Sequence, residues 1–214
     1  MARIMRVDAS DPRGEAIDEA VQVLKEGGVV VFPTTGLYGL AAKASDPQAV
    51  AEVFRIKGRP DDKPLLILVN SIDQVKPLVR EIPESGRLLM EKLWPGGMTL
   101  VFYASGLLPP SLLGGKKKIG IRMAAHPVAR ALVKGLGEPI TGTSANLSGE
   151  PGAGDFGQLT QAVLDRTPLA LDAGKLAGGA GSTVVDVTED PPLILRQGAA
   201  PKAEIFNALK TVSQ

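Results

Sequence analysis

The chain of 214 residues has no cysteine and only one histidine, His126. Without cysteine there is no disulfide, no thiolate metal site and no cysteine nucleophile. One histidine leaves a Ser-His-Asp triad a single candidate base and rules out a two-histidine metal site. No apolar run reaches membrane-spanning length. The start, Met1-Ala2-Arg3-Ile4-Met5-Arg6-Val7-Asp8, lacks the long apolar stretch of a signal peptide. A cytoplasmic protein that engages no membrane is therefore expected. The formal net charge is +1, so affinity for phosphates or nucleic acid has to come from local clusters, not bulk charge. The Gly-Lys-Ser/Thr of a P-loop and the GxGxxG dinucleotide fingerprint are missing too.

What is present reads as an ordinary soluble composition, with 44% apolar and 22% charged residues. Apolar spacing predicts a helix from Glu15 to Glu26, ended by Gly27-Gly28, and a buried strand over Val29–Phe32 stopped at Pro33. Asp46-Pro47 supplies a cap and a first helical position for a helix to about Ile56. Further helices are expected near Ile72–Arg80, Ser85–Leu93, Pro127–Lys134, Asp155–Leu164 and Lys202–Val212. Strands are expected over Leu65–Val69, Met98–Tyr103, Ile119–Arg122, Pro139–Thr143, Leu169–Leu171, Thr183–Val187 and Leu193–Leu195. This alternation predicts an α/β or mixed α+β fold. With no low-complexity linker, charge block or repeat, residues 1–214 read as one domain. Gly174 to Gly181 is a glycine-rich loop, expected to be a lid.

Several segments carry polar chemistry. Lys57 and Arg59, one residue apart after a helix, suit a phosphate or carboxylate ligand, with Arg as a bidentate fork and Lys as a point charge. Lys63 lies close behind. The alternative is a solvated helix-to-strand loop. Thr34-Thr35-Gly36 follows a buried strand, where α/β folds often bind ligands; a tight turn with self-satisfied threonines has the same composition. Thr143-Ser144-Ala145-Asn146 is denser in hydroxyl and amide groups, and its small residues let a ligand approach the backbone. Arg122 lies within an apolar strand and needs a partner or an anionic ligand, and Arg196 raises the same question. Lys116-Lys117-Lys118 is a short basic run, and His126 before Pro127 reads as a helix cap.

These segments in this order resemble the YrdC-type threonylcarbamoyl-AMP synthases. The resemblance rests on Val31-Phe32-Pro33-Thr34, Leu37-Tyr38-Gly39-Leu40, Ile56-Lys57-Gly58-Arg59-Pro60, Lys63-Pro64-Leu65, Trp94-Pro95-Gly96-Gly97-Met98-Thr99-Leu100, Ile119-Gly120-Ile121-Arg122, Ser144-Ala145-Asn146-Leu147-Ser148-Gly149, Gly181-Ser182-Thr183-Val184-Val185-Asp186 and Ile194-Leu195-Arg196-Gln197-Gly198. It covers roughly residues 15 to 200, and the chain looks like the short form without an extra C-terminal domain. The resemblance implies a twisted, open α/β barrel around a concave basic cavity. It implies a nucleotidyltransferase that joins L-threonine, bicarbonate and ATP into threonylcarbamoyl-AMP and pyrophosphate. Partner proteins would then carry the threonylcarbamoyl group to tRNA adenosine, so that any contact with tRNA is indirect.

In that reading Lys57 and Arg59 are the catalytic cations. Arg59, Lys63, Lys118, Ser144, Asn146 and Arg196 bind ATP, with Mg²⁺ accompanying the triphosphate and no metal held by protein side chains. Thr34, Arg122, Ser144 and Ser182 bind threonine, Arg122 taking its carboxylate. No general base stands out, so charge and positioning are expected to carry the rate. Two departures fall on what the resemblance makes the amino-acid side. Gly36 stands where the family carries a second threonine, a common substrate contact, and Leu68 stands where some members carry a histidine. They keep two alternatives open: a non-catalytic relative that binds double-stranded RNA or tRNA in ribosome maturation, and an adenylating enzyme with a different acceptor.

Overall fold

Helix α1 (Glu15–Lys25) forms where Ile17, Ala20, Val21 and Leu24 recur on one face, and all four are buried. Helix α2 (Pro47–Lys57) starts at Asp46, whose carboxylate accepts from the N–H groups of Gln48 and Ala49. It ends at Gly58, in the left-handed conformation at φ 55°. The remaining helices are α3 (Glu84–Leu93), α4 (Pro127–Leu136), the short α5 (Gln161–Leu164) and α6 (Lys202–Lys210). The structure is a computed structural model and describes residues 2–210. The last two positions of the expected final helix lie outside that range.

The strands are β1 (Arg3–Arg6), β2 (Val30–Pro33), β3 (Tyr38–Ala41), β4 (Ile67–Val69), β5 (Met98–Tyr103), β6 (Lys118–Met123), β7 (Ile140–Thr141), β8 (Thr143–Ser144), β9 (Leu169–Asp172), β10 (Thr183–Asp186) and β11 (Leu193–Arg196). They build two mixed sheets, in the orders β1-β9-β2-β3-β8 and β11-β10-β5-β6-β4-β7. Only Gly142 separates β7 of one sheet from β8 of the other. The Ala42 N–H donates to the Thr141 hydroxyl, and the Thr141 N–H donates to the Ala42 carbonyl, closing that seam. The result is a twisted, open α/β barrel.

Two apolar clusters clothe the sheets. The larger contains Met98, Leu100 and Phe102 of β5 with Ile119 and Ile121 of β6. The second packs α1 and α4 against Val30 and Phe32 of β2 and against Leu169 and Leu171 of β9. Strand alternation then fixes the opposite face. On β5 it turns Thr99 and Val101 away from the core, on β6 Lys118, Gly120 and Arg122, and on β10 Val184 and Asp186. The cavity is this second face.

Several expected elements differ. No α-helix spans 72–80; only Lys76–Leu78 makes a 3₁₀ turn. Pro77 supplies no N–H there, and the Arg80 N–H bonds instead to the Tyr103 carbonyl at the end of β5. The expected helix over 155–164 is broken, because Leu159 is extended between a 3₁₀ turn capped by Asp155 and α5. Strands β1 and β3 were not expected. The first has little apolar pattern, and the second hides in a glycine-containing segment. No helix among the described residues is long and apolar enough to cross a membrane.

Candidate active site

The concave face encloses a cavity of about 1130 Å³, room for a nucleotide and a second small molecule. Arg59, Lys118, Arg122 and Arg196 line it, with Thr34, Ser144 and Ser182. Strands from both sheets and the loops at their ends thus bring together seven of the ten expected site residues.

Arg122 is the most informative. Among the described residues its guanidinium has no hydrogen-bond or ion-pair partner. Burial lowers its pKa, and the nearby positive charge of Arg196 lowers it further. Arg122 is half-buried, and a cation shielded in part from water and given no partner favours a bound anion, so these two neighbouring arginines, neither ion-paired to a carboxylate among the described residues, make a site for one. Arg196 is oriented by one bond, Nη2 donating to the Ser182 carbonyl at 2.7 Å.

Arg59 follows the Gly58 cap of α2. Its Nε donates to the Lys63 carbonyl at 3.1 Å and its Nη2 to the Pro64 carbonyl at 3.0 Å. Two backbone acceptors fix the plane of the guanidinium, and its other donors are free for a ligand. Burial lowers its pKa. Lys118 is neutralised within the protein. Its Nζ lies 2.9 Å from both Asp186 Oδ2 and Glu189 Oε1 and 5.1 Å from the centre of the Tyr103 ring. These partners, Asp186 first, raise its pKa. Burial pushes the Asp186 carboxyl up, but the Thr188 hydroxyl, Lys118 and the Thr188 N–H outweigh it and hold it low.

Three expected site residues do not line the cavity. Lys63 is exposed beside it. Lys57 turns inward and is only 2% exposed. Its ammonium donates to the Ser144 carbonyl, to the Asn146 carbonyl at 2.8 Å and to Asn146 Oδ1 at 3.3 Å. Burial, with Arg59's charge, pushes its pKa down to about 8, while the three oxygens favour the charged form. Asn146 is buried too, its Nδ2 donating to the carbonyls of Leu147 and Glu150 at 2.8 and 2.7 Å. Lys57 and Asn146 are thus a buried brace beneath the turn that carries Ser144.

The hydroxyls are positioned as tightly. Thr34 Oγ1 donates to the Leu37 carbonyl at 2.6 Å, closing its own turn at the cavity edge. Ser182 Oγ lies 2.7 Å from Thr99 Oγ1, both buried. Sequence reasoning did not single out Thr99, Asp186 or Tyr38, which also line the cavity. Alternation from apolar Met98 and Leu100 is the signal that would have flagged Thr99. The Tyr38 hydroxyl donates to the Gly174 carbonyl at 2.7 Å and accepts from the Ala173 N–H at 3.1 Å, and burial pushes its pKa up to about 12.

This arrangement gathers cations and hydroxyls in a deep groove, and among the described residues no hydroxyl there is hydrogen-bonded to a histidine or carboxylate base. His126 stands apart as the cap of α4, its Nδ1 accepting from the Val128 N–H at 3.2 Å. Residues 22–198 match the family model described as telomere recombination, that of Sua5, YciO and YrdC. The chain belongs to the Sua5/YciO/YrdC family. It is 39% identical over 186 residues to the threonylcarbamoyl-AMP synthase of Pyrococcus abyssi (strain GE5 / Orsay), covering 87% of this chain and 55% of that protein. The crystal structure of P. abyssi Sua5 complexed with L-threonine matches with a TM-score of 0.91 at 37% identity, over 97% of this chain and 61% of that one. Escherichia coli YciO matches with a TM-score of 0.86 at 27% identity, over 96% of this chain and 100% of that one. The chain spans little more than half the length of curated relatives such as those from P. abyssi and Bacillus subtilis.

The two departures from the family pattern part company here. Leu68 is fully buried in the second core with Val128 and Leu132 of α4, and it does not line the cavity. Its assignment to the amino-acid side is corrected: Leu66 lines the cavity, but at Leu68 the strand has come under α4, whose Val128 and Leu132 share its core. Gly36 does line the cavity.

Proposed function

We propose that this protein is a threonylcarbamoyl-AMP synthase, forming threonylcarbamoyl-AMP and pyrophosphate from L-threonine, bicarbonate and ATP. The observation that carries the reading is the unpaired Arg122 facing Arg196 in the cavity, because every substrate of this reaction is anionic or carries a carboxylate. Arg122 would take the threonine carboxylate, with Ser182 and Thr34 beside it. Arg59, Arg196 and Ser144 would hold the nucleotide, and Lys118 would meet it through its backbone. Lys57 and Asn146 would act from below, by fixing Ser144.

Threonine's amine attacks the bicarbonate carbon and water leaves to give a carbamate, and a carbamate oxygen then displaces pyrophosphate from the α-phosphate. The protein's part is to bring anions together against their repulsion and hold them in line. Mg²⁺ would enter with ATP as part of that substrate. Among the described residues no group of three or more histidine, aspartate or glutamate side chains gathers to hold a metal, and Asp186 is committed to Lys118. We read residues 1–214 as one domain, because β2 and β4 each supply residues to both cores. In the cytoplasm, partner proteins would pass the threonylcarbamoyl group to tRNA.

Pyrophosphate release from ATP, Mg²⁺ and bicarbonate tests the reading. Release that depends on L-threonine and is lost in Arg122→Ala is the expected result, and ATP binding without threonine-dependent release would overturn it. The missing side chain at Gly36 raises a second reading, an adenylating enzyme with another acceptor. Faster release with a different amino acid than with threonine would select it.

A further inference from the structure

The loop between β9 and β10 is pinned at its start, and among the described residues its middle makes no hydrogen bond. The Tyr38 hydroxyl holds the Gly174 carbonyl, the Phe156 N–H donates to that same carbonyl, and the Leu176 N–H donates to Gly154. Gly178 and Gly179 both have positive φ, at 71° and 100°, conformations that favour glycine. This turn carries the Gly178 carbonyl onto Gly36. A Cβ at position 36 would lie 2.5 Å from that oxygen and 3.2 Å from its carbon. Neither contact involves a flexible side chain, so any other residue at 36 has to displace the loop.

The far end of the loop reaches the anion site. Gly181 lies against the Arg196 guanidinium, and the Ser182 carbonyl accepts its hydrogen bond. Gly36, Gly178, Gly181 and Ser182 all line the cavity. The loop is therefore a wall between the turn over residues 34–37 and the paired arginines.

We propose that Gly36 is a specificity-determining residue: by seating Gly178 it closes the wall around the amino-acid end of the cavity and limits the acceptor to a small amino acid such as threonine. This rests on the synthase reading above. Backbone from the loop fills the volume that a side chain at position 36 would take, so a threonine placed there works against binding in this chain.

The test uses wild type, Gly36→Ala and Gly36→Thr. Amide hydrogen exchange is followed across residues 175–182, and calorimetry measures L-threonine and ATP binding separately. Both variants are expected to exchange faster at 177–181 and to bind threonine about tenfold more weakly, with ATP affinity within about twofold of wild type. Unchanged exchange, or equal loss of threonine and ATP affinity, would overturn the proposal. Wild type that binds ATP but no amino acid would sink the synthase reading and this proposal with it. Wild type and variants that bind threonine equally would sink this proposal alone.

Discussion

The Lys57 ammonium reaches across 89 residues of chain to grip Asn146 twice, through its backbone carbonyl at 2.8 Å and its side-chain oxygen at 3.3 Å. The Ser148 N–H returns the contact, donating to the Lys57 carbonyl at 2.8 Å. A charge expected to meet substrate points instead into the protein.

Lys57→Met should therefore behave first as a folding lesion. It takes the Lys57 donor from three oxygens, of which the Ser144 carbonyl still accepts from the Asn146 N–H, and costs about 2 kcal/mol. Urea unfolding should show the loss without any ligand present. A variant as stable as wild type, but inactive, would return Lys57 to direct contact with substrate.

Arg122→Ala should do the opposite. Removing a cation with no partner relieves repulsion with Arg196, so the ligand-free protein should be as stable as wild type or more so. Activity should fall by at least about a hundredfold, a loss of about 2.7 kcal/mol of transition-state binding. Thermal melting and pyrophosphate release on the same preparations check both halves. Destabilisation in the ligand-free state would mean that Arg122 holds the fold.

Thr99→Val removes the partner of the Ser182 hydroxyl while keeping the side chain's shape. A hydroxyl–hydroxyl bond of this kind contributes about 1 kcal/mol. The KM for threonine should rise roughly fivefold, with the ATP dependence unchanged. An equal change in both would place the pair outside the amino-acid end.

His126 makes stability depend on pH in a window of its own, since it is the only histidine. Burial lowers its pKa from 6.5, so below that pH the unfolded chain binds the proton more readily than the folded one. Stability should be unaffected above pH 6.5 and fall as the pH drops beneath it, by about 1 kcal/mol as Nδ1 loses its capping role. Asparagine caps without titrating, so His126→Asn should flatten the profile between pH 7 and 5 in denaturant melts. An unchanged slope would rule out the cap as the cause.

The sequence carried the local structure where one side chain decides it. Asp46-Pro47 begins a helix wherever it stands before an apolar run, and the alternating residues of Met98–Tyr103 state their own strand. Arg122 was legible as an anomaly because its neighbours are isoleucines. The direction of Lys57 was not legible, since it depends on carbonyls in a turn nearly ninety residues away. Nor was the meaning of Gly36: a missing side chain says nothing of the backbone that takes its place. Pro77 was visible, yet only the partner offered by the end of β5 explains why its segment abandons the helix.

The facing arginines have a consequence for anyone who would block this protein. Shape alone is a poor guide to an inhibitor here, because a neutral mimic of perfect outline would strip water from two like charges and offer nothing in return. The groove sorts small molecules by formal charge before it sorts them by size. A screening collection rich in carboxylates, phosphonates and acyl sulfamates should yield hits that an uncharged collection of equal diversity does not.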